Sequence, residues 1–252
     1  MTWALWESYM LPGVWITVQV TVYSAALAAV VAFAVGTART SRLWIVRFLS
    51  GAYFEIFRGA SALVFMFWLF FALPIAAGWQ LVPLWAGVLA LGLTYGAYGS
   101  EIVRGALAAV SPAQREAGIA LSFTRWQRLR RIELPQAWPE MVPPFNNLAI
   151  ELLKGTALVS VISVADMTFA ANLIRFTTND SAPIYTLLLL MYFVLAFVVT
   201  RGMRLLERRA KAGVGQAPPP RRGLMGGLSR RTATGDAAGD AVTGAAASGG
   251  AR

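Results

Sequence analysis

The sequence contains neither cysteine nor histidine. Without cysteine the chain can form no disulfide framework and no thiolate metal site. Without histidine it lacks the commonest metal ligand and the commonest general base, and no plausible pair of nucleophile and base remains. These absences argue against an enzyme and against a metal site.

Charged residues are also scarce, at 13% of the chain, whereas an ordinary soluble domain has about a quarter. Hydrophobic residues make up 57%, and residues 8–38 and 59–100 contain no charge at all. A membrane-spanning helix needs about 20 apolar residues, so the first run is long enough for one pass and the second for two. The chain is therefore predicted to be an all-α integral membrane protein.

Five transmembrane helices are predicted within residues 1–210. Pro74, Gly78 and Pro83 divide the longest uncharged run into two helices. The predicted spans cover residues 12–37, 61–77, 84–106, 142–164 and 183–200.

The last 42 residues, 211–252, differ from this domain in composition. They contain few large apolar side chains, so a disordered tail is predicted. Four arginines of this tail suit contact with anionic membrane lipid, although a solvated tail without a function is the simpler explanation. They are Arg221, Arg222, Arg230 and Arg231.

The net charge of +10 is explained by membrane topology, and no nucleic-acid partner is needed to account for it. If the N-terminus lies outside, the inner segments are residues 38–60, residues 104–140 and everything after Thr200. These segments hold 20 of the 22 Lys and Arg residues, and only Lys154 and Arg175 lie elsewhere. Because basic residues accumulate on the cytoplasmic side, we expect the N-terminus outside and the C-terminus in the cytoplasm.

The inner segment 111–140 is predicted to contain two short helices. Ser111, followed by proline, is a suitable start for the first helix, with Gln114 positioned to complete the cap. Ser122 permits a turn, and Thr124 with Gln127 repeats the cap pattern at the start of the second helix.

The second helix is predicted to present an aromatic side chain. Trp126 and Leu129 fall on one face, and Pro135 is expected to end the helix. Three arginines are expected to be more exposed, namely Arg128, Arg130 and Arg131. Such a helix-turn-helix suits docking onto a partner, whereas its arginines alone could be a topology signal.

The spacing of residues in this segment resembles the EAA loop of ABC importer permeases. That motif reads Glu-Ala-Ala, three residues, Gly, nine residues, Ile, any residue and Leu-Pro. The matching residues here are Glu116, Ala117, Gly118, Ser122, Ile132, Leu134 and Pro135. Gly118 replaces the second alanine of the motif and Ser122 replaces its glycine, although serine is disfavoured in a left-handed conformation. With Trp126, these residues form the ATPase coupling loop that the resemblance implies.

Further segments resemble the polar-amino-acid branch of this family, which includes the histidine and glutamine type. The similarity extends over about residues 12–209, with a particular likeness to permeases for the compatible solutes ectoine and hydroxyectoine. The segments are Phe57-Arg-Gly59, residues 96–105, Leu152-Leu-Lys-Gly-Thr156 and Leu206-Glu-Arg-Arg209.

The resemblance implies a permease subunit of a bacterial inner-membrane importer. It pairs with a second permease subunit, as a homodimer or a heterodimer, and receives its solute from a binding protein outside. No cofactor is expected on this chain, because it has no Gly-x-x-x-x-Gly-Lys-Ser/Thr phosphate loop and partner ATPase subunits must bind the ATP.

Ionisable residues inside the predicted spans are candidates for the translocation path. Glu151 and Lys154 each cost at least about 2.5 kcal/mol to insert, and such residues usually face a bundle interior or a water-filled path. The alternative is an intrahelical pair that neutralises itself. Glu101 and Arg104 either contribute to the path or form a satisfied ion pair near the membrane surface, and Thr156 completes the candidate set.

An ion-coupled secondary transporter is the alternative function. It would use intramembrane carboxylates in a similar way without an ATPase. The small size of the chain and the lack of an inverted repeat count against it.

Overall fold

Helices are the only regular secondary structure in residues 6–213, the part of the chain that the structure, a computed structural model, describes. The all-α class is thereby confirmed. Beyond residue 213 the predicted tail lies outside the described residues, and so do its four arginines. In chain order the helices are α1 (Leu11–Ala38), α2 (Trp44–Gly59), α3 (Ala62–Ala77), α4 (Pro83–Ala109), α5 (Pro112–Ala120), α6 (Arg125–Ile162), α7 (Met167–Thr178) and α8 (Ala182–Gly213).

Three of the described helices, α1, α6 and α8, are long and apolar enough to cross a membrane, and a fourth span results if α2 and α3 count as one bent span. The remaining predicted span, α4, falls short in hydropathy because glycine, tyrosine and Glu101 interrupt its apolar residues. This helix packs against α1, α3 and α6, and 14 of its 27 residues are buried. A helix surrounded by other helices needs less apolar surface toward lipid, so the fifth span stays a prediction.

Small residues bring α1 and α4 close together. A Cβ atom added to Gly92 would lie 2.6 Å from Leu27 Cδ2, and one added to Gly96 would lie 2.8 Å from Val31 Cβ. Neither site has room for a side chain, as is common where membrane helices approach closely. Gly92 and Gly96 therefore serve the packing of α4 against α1.

The segment 38–60, predicted to lie on the inner side, contains the helix α2. The chain bends by 100° between α2 and α3, because Ala60 and Ser61 are extended. The Tyr53 hydroxyl donates to the Leu93 carbonyl at 2.7 Å and holds α2 against α4. Sequence reasoning assigned this segment to the inner side but predicted no helix in it, because its charges drew attention away from its amphipathic helical period.

Pro135 does not end the second helix of the loop, because α6 continues through it to Ile162. A π-helical turn, Leu129–Glu133, precedes the proline, and the Leu134 amide donates to the Leu129 carbonyl. This wider turn accommodates the proline ring, which would clash with the preceding turn of a regular α-helix. The second loop helix and the predicted fourth span are therefore one helix.

The predicted outer segment before α8 contains a further helix, α7. The Asp166 carboxylate caps it by accepting from the Phe169 amide at 2.9 Å, and Asn179 ends it in a left-handed conformation. Twelve residues are too few to span a membrane. Sequence reasoning missed this helix because it is short and has polar residues at both ends, a pattern that resembles a loop.

Candidate docking loop and translocation face

The turn between α5 and α6 is closed by two backbone hydrogen bonds. Ser122 has a positive φ of 57°, and its amide donates to the Ile119 carbonyl at 2.9 Å. The Phe123 amide donates to the Gly118 carbonyl at 3.0 Å, which completes a Schellman motif. The turn predicted at Ser122 is confirmed, and serine adopts the left-handed conformation that glycine usually supplies.

The two helix starts differ in how they are capped. At the start of α6, Thr124 Oγ1 accepts from the Gln127 amide at 3.3 Å, and Gln127 Oε1 accepts from the Thr124 amide at 2.9 Å. This capping box is as predicted. At the start of α5, Ser111 makes no such side-chain bond, and the Gln114 side chain accepts from Gln136 of α6 at 3.4 Å. The predicted side-chain cap at Ser111 is therefore wrong.

Packing and an ion pair make the loop a rigid unit. A Cβ atom added to Gly118 would lie 2.9 Å from Ile132 Cδ1 and 3.1 Å from Arg128 Cγ. Glycine at this position lets α5 approach α6 closely. The Arg128 guanidinium lies 3.2 Å from the Glu133 carboxylate, and each side chain is only 14% exposed.

The outer surface of the loop carries its aromatic residue. Trp126 is 67% exposed, and Glu116 and Ala117 are exposed on α5. Arg128 was predicted to be exposed, which is wrong because its ion pair draws it inward. The other two arginines of that set are exposed as predicted, namely Arg130 and Arg131.

Polar residues form an exposed face along α6, further from the loop. Asn147, Glu151 and Lys154 are spaced by four and three residues, so they share one side of the helix, and all three are exposed. Within residues 6–213 no carboxylate lies within 4.0 Å of Lys154, so the intrahelical pair with Glu151 is not formed. The Tyr95 hydroxyl of α4 donates to the Glu151 carbonyl at 3.0 Å and borders this face.

The other three path candidates do not join this face. Thr156 is buried, and its hydroxyl donates to the Leu153 carbonyl of its own helix at 2.7 Å. Glu101 accepts from Arg39 at 2.6 Å and from Arg104 Nε at 3.0 Å. This is a satisfied ion cluster that joins the end of α1 to α4.

Sequence reasoning missed two polar residues. Asn147 would have emerged from its helical spacing to Glu151. Asp166 is fully buried between α6 and α7, its Oδ2 atom has no hydrogen-bond partner, and burial raises its pKa to about 6. It is the only charged residue between Lys154 and Arg175, and this isolation could have identified Asp166 from the sequence.

Comparison with known proteins places this geometry in a family. Residues 27–212 match the family of the binding-protein-dependent transport system inner membrane component. The chain is 52% identical over 210 residues to the probable amino-acid ABC transporter permease protein y4tF of Sinorhizobium fredii (strain NBRC 101917 / NGR234), with 80% of this chain and 88% of that protein covered. It is 32% identical over 211 residues to the glutamine transport system permease protein GlnP of Escherichia coli (strain K12), with 82% and 96% covered.

A solved structure agrees with these relatives. The crystal structure of an amino acid ABC transporter with histidines has a TM-score of 0.74 and 28% identity, with 81% of this chain and 95% of that chain covered. The relatives are transport permeases, which confirms the prediction that the chain is not itself an enzyme. The match also favours a binding-protein-dependent system over an ion-coupled secondary transporter. The chain belongs to the family of inner membrane components of binding-protein-dependent transport systems.

Proposed function

We propose that this chain is one of two permease subunits that form the transmembrane path of an ABC importer for a polar amino acid or a related zwitterionic compatible solute. A solute-binding protein delivers the solute outside, and ABC ATPase subunits bind and hydrolyse ATP inside. The docking loop, which runs from Glu116 on α5 to Pro135 on α6, carries this proposal. Its two helices pack closely and share an ion pair, and it presents Trp126 and Glu116 outward.

The solute class rests on the relatives. One is named as a probable amino-acid permease and another as a glutamine permease, which supports a polar amino acid. Ectoine and hydroxyectoine are the specific candidates that the sequence resemblance suggests. Both kinds of solute carry a positive and a negative charge, so a path with both signs would suit either.

The polar face of α6 supplies both signs. Glu151 and Lys154 are exposed on a helix that is long and apolar enough to span a membrane. Charges on such a helix are costly toward lipid, so the face is best placed toward the second permease subunit and the water-filled path. There Lys154 would attract the carboxylate of the solute and Glu151 its cationic group.

The topology follows the distribution of charge. We place the docking loop and the C-terminal end of α8 in the cytoplasm and the start of α1 outside. Most of the arginines lie in or next to the docking loop, in the linker after α1 and at the end of α8, as positive-inside orientation requires. In this orientation the loop faces the compartment that holds ATP.

Reconstitution from separate components tests the proposal. The full chain should be placed in proteoliposomes with its second permease subunit, ATPase subunits and binding protein, and uptake of labelled amino acids and ectoine should be measured. We expect uptake only with the complete set, and no ATP hydrolysis by the purified chain alone. Uptake that persists without ATPase and follows an ion gradient would instead identify a secondary transporter.

A further inference from the structure

A cleft of about 810 Å³ opens beside the docking loop. Its walls are the end of α1, the linker to α2, the last turns of α4 and the start of α6. Six arginines line it: Arg39, Arg42, Arg104, Arg115, Arg125 and Arg128.

The positive charge of this cleft is only partly neutralised. Glu101 pairs with Arg39 and Arg104, and Glu133 lies within 4.0 Å of Arg115 and Arg128. In the described part of the chain, no carboxylate comes within 4.0 Å of the remaining two arginines. Six guanidinium groups therefore face two carboxylates, and an excess of about four positive charges remains. The two arginines without a carboxylate partner there are Arg42 and Arg125, and Arg125 donates to the Thr40 carbonyl of the linker.

One guanidinium of the cleft also has an unused donor. The buried Nε atom of Arg115 makes no hydrogen bond, while its Nη2 atom donates to the Leu107 carbonyl. A buried donor without a partner is uncommon in folded proteins. The nearest carboxylate oxygen, that of Glu133, lies 3.9 Å from this atom, so the positive charge of Arg115 is only loosely paired.

An apolar crevice of about 360 Å³ continues from the cleft between α1 and α6. Phe33, Leu129 and Leu134 line it, and Trp126 lines both the crevice and the cleft. The two spaces share further residues, Ala34 and Thr37 among them. Together they offer a strongly basic chamber joined to a narrow apolar one, which is the shape of a site for an amphipathic anion.

We propose that the cleft binds the phosphate of an anionic phospholipid and that the crevice holds part of an acyl chain. Guanidinium groups match phosphate oxygens with paired hydrogen bonds, so arginine suits this headgroup better than lysine does. Basic pockets between membrane helices at the cytoplasmic surface commonly bind such lipids. The choice of leaflet rests on the proposed topology, whereas the site itself does not. Free phosphate offers the same headgroup chemistry but has nothing to place in the crevice.

Variants of Arg42 and Arg125 test the site without leaving a carboxylate unpaired, because neither arginine pairs with one within residues 6–213. Binding of fluorescent phosphatidylglycerol to the purified full chain in detergent should be measured for wild type and for the pair Arg42→Gln with Arg125→Gln. Each basic residue near an anionic lipid contributes roughly fivefold, so we expect about thirtyfold weaker binding. The control pair, Arg47→Gln with Arg131→Gln, removes the same charge outside both spaces and should stay within about twofold of wild type.

Two further ligands separate a lipid site from a general anion site. Phosphatidylcholine with the same chains and glycerol 3-phosphate, which has no chains, should each compete at least about tenfold less well than phosphatidylglycerol. If glycerol 3-phosphate competes equally well, the site takes free phosphate groups and the lipid proposal fails.

A charge-preserving variant guards against a folding defect. The pair Arg42→Lys with Arg125→Lys should bind more tightly than the glutamine pair and more weakly than wild type. If phosphatidylglycerol binds all variants equally, the proposal is wrong. If the glutamine pair binds lipid normally but no longer retains the ATPase subunits, the cleft belongs to the protein interface instead.

Discussion

Truncation of Trp126 shows whether its side chain stabilises the fold of this chain or docks onto the ATPase subunit. It is 67% exposed, so Trp126→Ala should change the free energy of unfolding of the isolated chain by no more than about 0.5 kcal/mol. A tryptophan buries at most about 250 Å², so roughly 170 Å² of this side chain remains available to a partner. At about 25 cal/mol per Å², that area corresponds to about 4 kcal/mol as an upper limit. The costs of ordering and desolvation leave at least about 2 kcal/mol, or roughly thirtyfold in affinity.

The assay compares association and transport in the same preparation. Trp126→Ala should insert into the membrane normally, retain the melting temperature of wild type, and lose both ATPase association and solute uptake. The control is Trp79→Ala, because Trp79 is 72% exposed and lies after α3, outside the docking loop. It should leave association unchanged. Wild-type ATPase recovery and uptake with Trp126→Ala would refute the coupling role and leave the loop as a topology signal.

The remaining predictions concern the loop, the path and the helix packing. Lys154→Met should preserve assembly but reduce uptake at least about tenfold, and full transport would remove Lys154 from the proposed path. Glu116→Lys should reduce coupling of ATP hydrolysis to uptake through the reversed charge, measured as uptake per ATP hydrolysed; an unchanged ratio would contradict this. Ser122→Gly should retain full uptake and raise the free energy of unfolding by about 1 kcal/mol, because serine is strained at a φ of 57°; a loss of stability would contradict the turn geometry. Gly92→Ala should lower the free energy of unfolding by about 1–3 kcal/mol through overpacking. Gly105→Ala on the same helix should not, because the added Cβ meets nothing within 4 Å.

Uncharged runs and capping residues carried most of the correct sequence predictions. The span at 12–37 lies within one residue of α1, and the capping box at Thr124 has the predicted bonds. These features are local, so composition and spacing over a few residues are enough to identify them. The motif of the docking loop has a fixed spacing, and this spacing agrees with the packing of Gly118 against Ile132.

The errors arose where tertiary contacts decide the outcome. A π-helical turn allows α6 to continue through Pro135, and the local sequence does not predict that turn. No helix was predicted in the charged segment 38–60, where Tyr53 holds α2 against α4. Arg128 is only 14% exposed because it pairs with Glu133 at 3.2 Å, a contact that charge patterning alone does not reveal.

Because α6 is a single helix, the docking loop and the polar face are two positions on one lever. Trp126 and Lys154 are 28 residues apart, which corresponds to about 42 Å along an α-helix. A tilt of about five degrees about the midpoint would move each end by roughly 2 Å in opposite directions. Pro139, Pro143 and Pro144 interrupt the hydrogen-bond ladder between these ends, so bending of the helix should occur in this segment. A movement of the docking loop would therefore displace the polar face of α6 in the opposite direction.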